Sequence, residues 1–269
     1  MNIQDLLQAG NLSQVVAELT QKVKKNPTDM QLRTFLFEVL SFQGDFQRAD
    51  RQLDVVSQYN ADNELATHMY KDILQAELQR QEVFEKGVKP HFVFDEPEYV
   101  TLHVEAIQAL HAENFGKAKE LLDRSAEMRQ PVKAQVNGKP CSEFLDGDDR
   151  IGPFLETIVN QVYLWIPFED IGKITISAPK FLRDLLWIPA QLESPKGPIG
   201  PAFLPVLYPE SCKSDQELVR LGRTTIWESL GDTILLGKGQ HSFIIDGKEQ
   251  AILEVREIEI EQIESTTSN

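Results

Sequence analysis

A charged pair within an apolar segment is the strongest candidate for chemistry in this sequence. Arg183 and Asp184 interrupt the segment Phe181–Trp187, whose other members are apolar, and Glu169 lies a short distance before it. A guanidinium beside carboxylates can bind a substrate or stabilise developing charge, and such pairs often mark functional sites. More commonly the two side chains bridge neighbouring elements, with the arginine bound to a carboxylate such as Glu169 or to backbone carbonyls. Both interpretations stay open, and the structural one is favoured.

Motifs that would support a catalytic interpretation do not accompany this pair. The sequence contains no G-x-S-x-G elbow, no phosphate loop and no His-Glu-x-x-His. His103 and His111 share one face of a predicted helix without further ligands, and a structural metal site needs four convergent ligands. We therefore predict no catalytic residue, no metal and no cofactor. The alternative is an enzyme with a site in the second half of the chain that uses Arg183, Asp184, Glu169 or His241.

Composition limits the kinds of partner. The 269 residues carry a net charge of −15, which repels nucleic acids and anionic membrane surfaces at long range. Cys141 and Cys212 lie far apart and fit free thiols in a reducing compartment. The first residues lack the pattern of a signal peptide, and no apolar run is long enough to span a membrane. We expect an acidic cytoplasmic protein that binds neither nucleic acid nor membrane.

The elements that position these side chains begin with a helical repeat. Residues 34 positions apart match in type through the first part of the chain, and this is the period of tetratricopeptide repeats, in which pairs of short helices stack. The matched positions are Gly10/Gly44, Leu12/Phe46, Val15/Ala49, Leu19/Leu53 and Asn26/Asn60. A third copy starts at Asn114, and one long helix, predicted over 64–85, replaces the copy expected between them. The predicted apolar side of this helix carries Leu65, Met69, Ile73 and Phe84.

Helical repeats mostly serve as platforms for other proteins. We predict that side chains on the inner face of the second helix pair line a groove for a partner. These residues are Gln31, Thr34, Glu38, Ser41 and Phe42. The alternative is an ordinary solvated helix face, because polar stripes are common on surface helices.

The second half of the chain predicts an α+β fold around a core at Leu164–Ala190, which contains the sequence Trp-Ile-Pro twice. The predicted elements are a hairpin of 132–136 and 141–145 around Asn137-Gly138, a helix at 151–162, strands at 163–168 and 173–177, a short helix at 179–187, a loop at 193–201, a strand at 202–207, a helical turn capped by Ser214, strands at 223–230 and 241–245, and a hairpin at Asp246-Gly247 that leads into a strand at 250–260. Gly237-Lys238-Gly239 is interpreted as a turn. The fold class is therefore α+β with two domains: a tetratricopeptide-like helical array at 1–130 and a compact domain with a mainly antiparallel sheet at 131–269.

An ordered series of motifs in the second half resembles a known family. The motifs are Gly152-Pro153, Trp165-Ile166-Pro167-Phe168-Glu169, Leu182-Arg183-Asp184-Leu185-Leu186-Trp187, Phe203-Leu204-Pro205, Leu207-Tyr208-Pro209, Leu221-Gly222-Arg223 and Gly239-Gln240. The series is similar to that of the ImpE/SciE family, also called TagJ, whose members are accessory proteins of the bacterial type VI secretion system. The resemblance covers essentially the whole chain, including the helical half.

The resemblance implies a non-enzymatic cytoplasmic adaptor. Family members are thought to bind the N-terminal helix of the small, TssB-type subunit of the contractile sheath, which links them indirectly to sheath recycling by the ClpV unfoldase. The motif residues map onto the predicted core and its ion pairs, and they are Trp165, Glu169, Arg183, Asp184, Trp187 and Arg223. Two positions depart from the family pattern, Ile226 before Trp227 and His241 after Gln240, so a partner site that used polar residues there would differ in this chain. A homo-oligomer formed through exposed aromatic surface is a further alternative.

Overall fold

Helices occupy the first half of the computed structural model, which describes residues 2–59, 64–231 and 233–262. The helices are α1 (Ile3–Gln8), α2 (Leu12–Lys25), α3 (Met30–Phe42), α4 (Phe46–Tyr59), α5 (Glu64–Lys86), α6 (Tyr99–His111), α7 (Phe115–Glu127) and, in the second half, α8 (Glu217–Arg220). Among the described residues, no helix is both long and apolar enough to cross a membrane.

The predicted repeat corresponds to helix hairpins. Gly10 and Gly44 form the turns of α1–α2 and α3–α4, and their φ angles of 82° and 71° lie in the left-handed region, which favours glycine. α6 and α7 form the third hairpin. The long helix predicted between them is α5, with Ile73 and Phe84 buried as expected. Leu65 and Met69 are instead 85% and 37% exposed, so the predicted apolar side is not buried over the first turns of α5. The match of Asn26 with Asn60 involves a residue outside the described ranges.

Strands build the second half and confirm the predicted α+β class. The strands are β1 (His91–Phe92), β2 (Ala134–Val136), β3 (Lys139–Cys141), β4 (Phe144–Asp146), β5 (Phe154–Val159), β6 (Val162–Pro167), β7 (Lys173–Ile176), β8 (Trp187–Ser194), β9 (Gly197–Pro205), β10 (Thr225–Leu230), β11 (Ile234–Gly239), β12 (Ser242–Ile245), β13 (Lys248–Ala251) and β14 (Glu257–Ile260). The main sheet has the order β1-β6-β5-β9-β8-β7-β14-β2-β3, and smaller sheets have the orders β13-β12-β4 and β10-β11. Pairings between the described strands are antiparallel except that of β1 with β6.

The predicted helix at 151–162 is wrong, because this segment forms β5 and the start of β6. Asn160 and Gln161 make the turn between the two strands, and both have positive φ angles, 46° and 72°. β5 is buried along nearly its whole length. A strand covered on both faces lacks the alternation of polar and apolar residues, so its run of apolar residues was indistinguishable from an amphipathic helix.

Four other predicted elements need correction. The helix at 179–187 shrinks to a 3₁₀ turn at Leu182–Leu185, and Trp187 already begins β8. The loop at 193–201 is instead the β8–β9 hairpin, which accommodates its prolines with a register shift between Leu192 and Glu193. Gly237-Lys238-Gly239 ends β11, a strand absent from the prediction. The strand at 250–260 is interrupted by a 3₁₀ turn at Ile252–Glu254, which explains its slip in apolar phase.

One contiguous hydrophobic core joins the two halves of the chain, extending from Ile3 in α1 to Ile260 in β14. A smaller cluster packs the α6–α7 hairpin against β11 through Ile234 and Leu236. The predicted boundary at residue 130 lies in the connection between α7 and β2. Side chains that could act together are therefore to be sought where α3 and α5 meet the main sheet, a region that we call the junction.

Candidate functional site

The Arg183 side chain crosses the junction to reach the helical half. The 3₁₀ turn before β8 places its Nη1 atom 2.9 Å from Oε1 of Glu38 on α3, and its Nε donates to the Tyr70 hydroxyl on α5 at 2.8 Å. The guanidinium also stacks on the rings of Phe181 and Tyr70, 4.2 and 5.1 Å from their centroids. Burial raises the pKa of Glu38 even though the Arg183 charge opposes this shift. The contact is therefore an ion pair between the two halves of the chain.

Asp184 does not pair with its neighbour. Its Oδ2 atom accepts hydrogen bonds from the backbone N–H groups of Lys180 and Phe181 at 2.7 and 2.9 Å, so it fixes the turn that presents Arg183. Glu169 contacts neither residue, and the proposed Glu169–Arg183 pair is wrong. Burial raises the pKa of Glu169, and its carboxylate in turn contributes to a raised pKa of Tyr99 on α6. The structure thus distributes the three candidate catalytic residues over separate structural contacts.

The two tryptophans of the repeated Trp-Ile-Pro sequence anchor the junction from the sheet side. Trp187 is 1% exposed, donates from Nε1 to Oε1 of Glu77 on α5 at 2.7 Å and stacks on Phe37 of α3. Trp165 is fully buried and donates from Nε1 to the Tyr163 hydroxyl at 2.5 Å. Their polar atoms are therefore satisfied inside the core, as a buried indole N–H requires.

Four buried ionisable side chains, contributed by both halves of the protein, form a linked charge network at the junction. Arg80 of α5 binds Glu156 of β5 with two hydrogen bonds, Nε to Oε1 at 2.7 Å and Nη2 to Oε2 at 3.0 Å, and also donates to the Leu207 carbonyl. On the other side of Glu156, His241 Nε2 lies 3.0 Å from Oε2, and His241 Nδ1 lies 2.9 Å from Oδ2 of Asp146. These four ionisable side chains are each no more than 6% exposed.

The electrostatics of this charge network favour the charged forms of His241 and Glu156. Burial acts against the imidazolium of His241, but the carboxylates of Asp146 and Glu156 outweigh it and raise its pKa to about 9. Burial likewise acts against the carboxylate of Glu156, and the Arg80 guanidinium holds its pKa below the ordinary value. For Asp146 burial dominates and raises the pKa. Paired charges of this kind hold elements in register, whereas a buried charge without its partner is strongly destabilising.

Arg223, the last of the family-motif residues, binds the C-terminal end of helix α1. Its Nη1 and Nη2 atoms donate to the backbone carbonyls of Gln8 and Leu7 at 2.6 and 2.7 Å, which are among the last carbonyls of α1. Nearby, Glu217 accepts from the backbone N–H of Ser13 at 3.0 Å at the start of α2. The segment around α8 therefore caps both helices of the first hairpin.

The residues predicted to bind a partner occupy different environments. Gln31 is exposed and Thr34 half-buried, with the Thr34 hydroxyl bonded to the Met30 carbonyl. Glu38 is only 7% exposed and Phe42 fully buried, because the sheet packs on this part of α3. Ser41 is also buried. In this structure the inner face of α3 is thus largely filled by the chain's own second half, and its exposed portion is limited to the N-terminal turns.

A small cavity of about 60 Å³ remains in the junction beside Glu77, Arg80 and Cys212. This volume accommodates about two water molecules. Within the part of the chain that the structure describes, no group of three or more His, Cys, Asp or Glu side chains is arranged to hold a metal ion. The arrangement supports a rigid connection between the halves, with its charges engaged in mutual ion pairs.

Of the buried charge network, the sequence indicated only His241 as a candidate. Arg80, Glu156 and Asp146 were not predicted. Arg80 lies on a helix face with apolar neighbours such as Ile73 and Phe84, and Glu156 lies inside an apolar run. A lone charge in each of two apolar segments could have suggested a pair, but 76 residues separate them. No local pattern relates side chains at that distance.

Comparisons with known proteins agree with the architecture. A family model described as ImpE protein matches residues 138–259. The chain is 34% identical, over 97% of its length and 92% of the relative's, to the type VI secretion system accessory component TagJ of Pseudomonas aeruginosa. A crystal structure of a Vibrio parahaemolyticus protein superposes with a TM-score of 0.90 at 23% identity, with 98% of each chain covered. At that identity the structural likeness shows a common fold.

Proposed function

The chain belongs to the ImpE/TagJ family of type VI secretion accessory proteins, and from that premise we propose that it is a non-catalytic cytoplasmic adaptor of such a system. Its partner in this proposal is the N-terminal helix of the small, TssB-type sheath subunit. Through that subunit the protein would contribute to sheath assembly or to recycling by the ClpV unfoldase. The observation that carries the proposal is the identity with TagJ along nearly the whole chain, which includes the helical half.

The helical half supports binding of a helix. Its hairpins present grooves between neighbouring helices, and an amphipathic helix binds such a groove through apolar anchors spaced three or four residues apart. The net charge of −15 favours a helix with basic residues beside those anchors. The contacts of Arg183 and Asp184 support a structural role for this pair, since both side chains are engaged in holding the junction together.

Calorimetric titration of the full chain with a synthetic peptide of the sheath subunit's N-terminal helix tests the proposal. We expect saturable binding of order micromolar, about −8 kcal/mol. A peptide whose apolar anchors are changed to alanine should not bind, and a peptide of the same composition in scrambled order is the control. If the folded protein shows no saturable heat with the cognate peptide, the adaptor proposal is wrong.

A further inference from the structure

The turn between β2 and β3 is tied to β14 by one asparagine side chain. Asn137 and Gly138 form this turn with positive φ angles of 50° and 75°, as a type I′ hairpin requires. The Oδ1 atom of Asn137 accepts from the backbone N–H groups of Arg256 and Glu257 at 2.8 and 3.1 Å. Its Nδ2 atom donates to the Glu254 carbonyl at 3.1 Å. Both ends of the side-chain amide are therefore engaged by the segment that leads into β14.

This contact fastens the end of the main sheet to one of its interior strands. β14 lies between β7 and β2, and β3 is the last strand of the sheet. Ile258 of β14 is fully buried and pairs with Val136, the residue before the turn. Separation of the β2–β3 hairpin from β14 would therefore release the Asn137 side chain.

An asparagine followed by glycine can react with its own backbone, and Asn137-Gly138 is the single such dipeptide in the sequence. The backbone nitrogen of Gly138 attacks Cγ of Asn137, and the bond from Cγ to Nδ2 breaks. Ammonia leaves with the proton that the Gly138 nitrogen loses, and a five-membered imide remains. Water then opens the imide at either carbonyl, which gives aspartate or isoaspartate. Water is the only co-reactant.

The two reacting groups are in opposite states in the folded chain. Gly138 is exposed, and beyond its chain neighbours no heavy atom lies within 4 Å of the place that a Cβ would occupy, so its nitrogen is open to approach. Cγ of Asn137 belongs instead to an amide whose oxygen and nitrogen are both bonded to the 254–257 segment. Ring closure turns Cγ onto the Gly138 nitrogen and expels Nδ2, so the side chain has to leave β14 before it reacts. The fold therefore retards the reaction until this edge opens.

The product does not restore the contact. In aspartate an oxygen replaces Nδ2, so two acceptors face each other at the Glu254 carbonyl and no donor joins them. Isoaspartate carries the backbone through Cβ and Cγ, which lengthens the turn that sets the pairing of Val136 with Lys139. A separation of the hairpin that allows the reaction therefore leaves a permanent change.

We propose that Asn137 is a deamidation site that the fold keeps closed and that reacts when the β2–β3 hairpin separates from β14. The reaction consumes water and releases ammonia, and it converts a transient opening of the sheet edge into a lasting one. It uses no residue of the junction and requires no partner.

Mass spectrometry of the full chain tests the proposal, after incubation in mildly alkaline buffer with and without guanidinium chloride. Trypsin cleavage after Lys133 and Arg150 releases residues 134–150, because the proline after Lys139 prevents cleavage there. Fragmentation then locates the gain in mass at residue 137. The folded chain should react at least about tenfold more slowly than the denatured chain. Equal rates in the two conditions, or no reaction in the denatured chain, would overturn the proposal.

Two matched variants show whether the opening is local to this edge. Ile258→Ala weakens the packing of β14 beside β2, whereas Ile234→Ala removes an equally buried isoleucine from β11, in the separate cluster that holds the α6–α7 hairpin. Both positions are distant from Asn137 in sequence, so neither change should alter the rate in the denatured chain. In the folded chain Ile258→Ala should speed the reaction several-fold and Ile234→Ala should leave it unchanged.

Equal acceleration by the two variants would show that only global unfolding exposes Asn137, and the local opening would be wrong. If Ile258→Ala fails to fold by circular dichroism, Ile258→Val and Ile234→Val provide the same comparison with a smaller loss of packing.

Asn137→Asp supplies one of the two products directly. Aspartate suits a type I′ turn as asparagine does, so the substitution changes the bond to Glu254 and not the turn preference. We expect the variant to unfold at a lower urea concentration than the unmodified chain. An unchanged midpoint would show that the product keeps the contact and would overturn the lasting effect of the reaction.

Discussion

The buried histidine of the junction makes stability depend on pH in a direction that can be measured. His241 is 3% exposed and lies between the carboxylates of Asp146 and Glu156. Its pKa rises from 6.5 to about 9 in the folded chain because those carboxylates outweigh the effect of burial. The folded state therefore holds the imidazolium proton more tightly than the unfolded chain does.

The difference in pKa between the folded and unfolded states fixes the direction and size of the change in stability with pH. The stabilisation from this proton is fully present below pH 6.5 and is lost as the pH rises through about 9. A difference of this size corresponds to roughly 3 kcal/mol in the free energy of unfolding. His241→Gln removes the titration, so the decline between these two pH values should become smaller by roughly that amount, although the variant is less stable overall because two carboxylates lose their partner.

Urea unfolding followed by circular dichroism provides the measurement, at steps of half a pH unit from 6 to 9.5. The dependence of the unfolding free energy on urea concentration should not change between the two proteins, which shows that the same surface is exposed. The comparison uses only the pH slope and not the absolute stability. The reasoning is refuted if the unmodified protein keeps a constant free energy of unfolding over this range, or if His241→Gln declines with the same slope.

Three further predictions use the same unfolding assay. His103, buried beside α7, has a pKa lowered to about 3 because burial disfavours its charged form. The free energy of unfolding of the unmodified protein should therefore fall as the pH drops below 6.5, and that of His103→Asn should fall less. An equal dependence on pH in the two proteins would contradict this. Arg80→Met leaves Glu156 buried without its main partner and should lower the free energy of unfolding by about 3–5 kcal/mol. Adding Glu156→Gln to Arg80→Met should recover part of this loss. A loss below about 1 kcal/mol for Arg80→Met would show that the pair is dispensable. Gly44→Ala should destabilise the fold more than Gly138→Ala. Both glycines have φ above 70°, but of the two only Gly44 has a neighbouring side chain within 2.7 Å of the added carbon. Equal losses of stability would exclude the packing contribution.

The helical half was readable from the sequence because its signals are local. Gly10 and Gly44 stand at turns that require a left-handed backbone, and each is followed by a helix whose apolar residues repeat with helical period. The uninterrupted course of α5 was also predictable, since Leu78 stands where a third turn would need a residue such as glycine. Local chemistry and tertiary structure agree in these elements.

The errors occurred where burial removes the pattern. β5 is covered on both faces, so its sequence carries the apolar run but not the alternation that identifies a strand. Tertiary packing decides the burial of the two misjudged helix residues. Glu38 is buried because the sheet covers α3 there, and Leu65 is exposed because the sheet does not cover the first turn of α5. Which face of a helix another part of the chain will cover cannot be derived from that helix alone.

The energetics of the junction indicate where a partner helix can bind. A helix on the inner face of α3 and α5 would have to separate Trp187 from Glu77, and re-exposing a buried tryptophan costs roughly 2–3 kcal/mol before its hydrogen bond is counted. Separating Arg80 from Glu156 would cost about 3–5 kcal/mol more. These losses consume most of the roughly 8 kcal/mol that binding of micromolar affinity supplies. A partner helix that left these contacts intact would therefore bind more tightly than one that competed with the sheet for the inner face of α3 and α5.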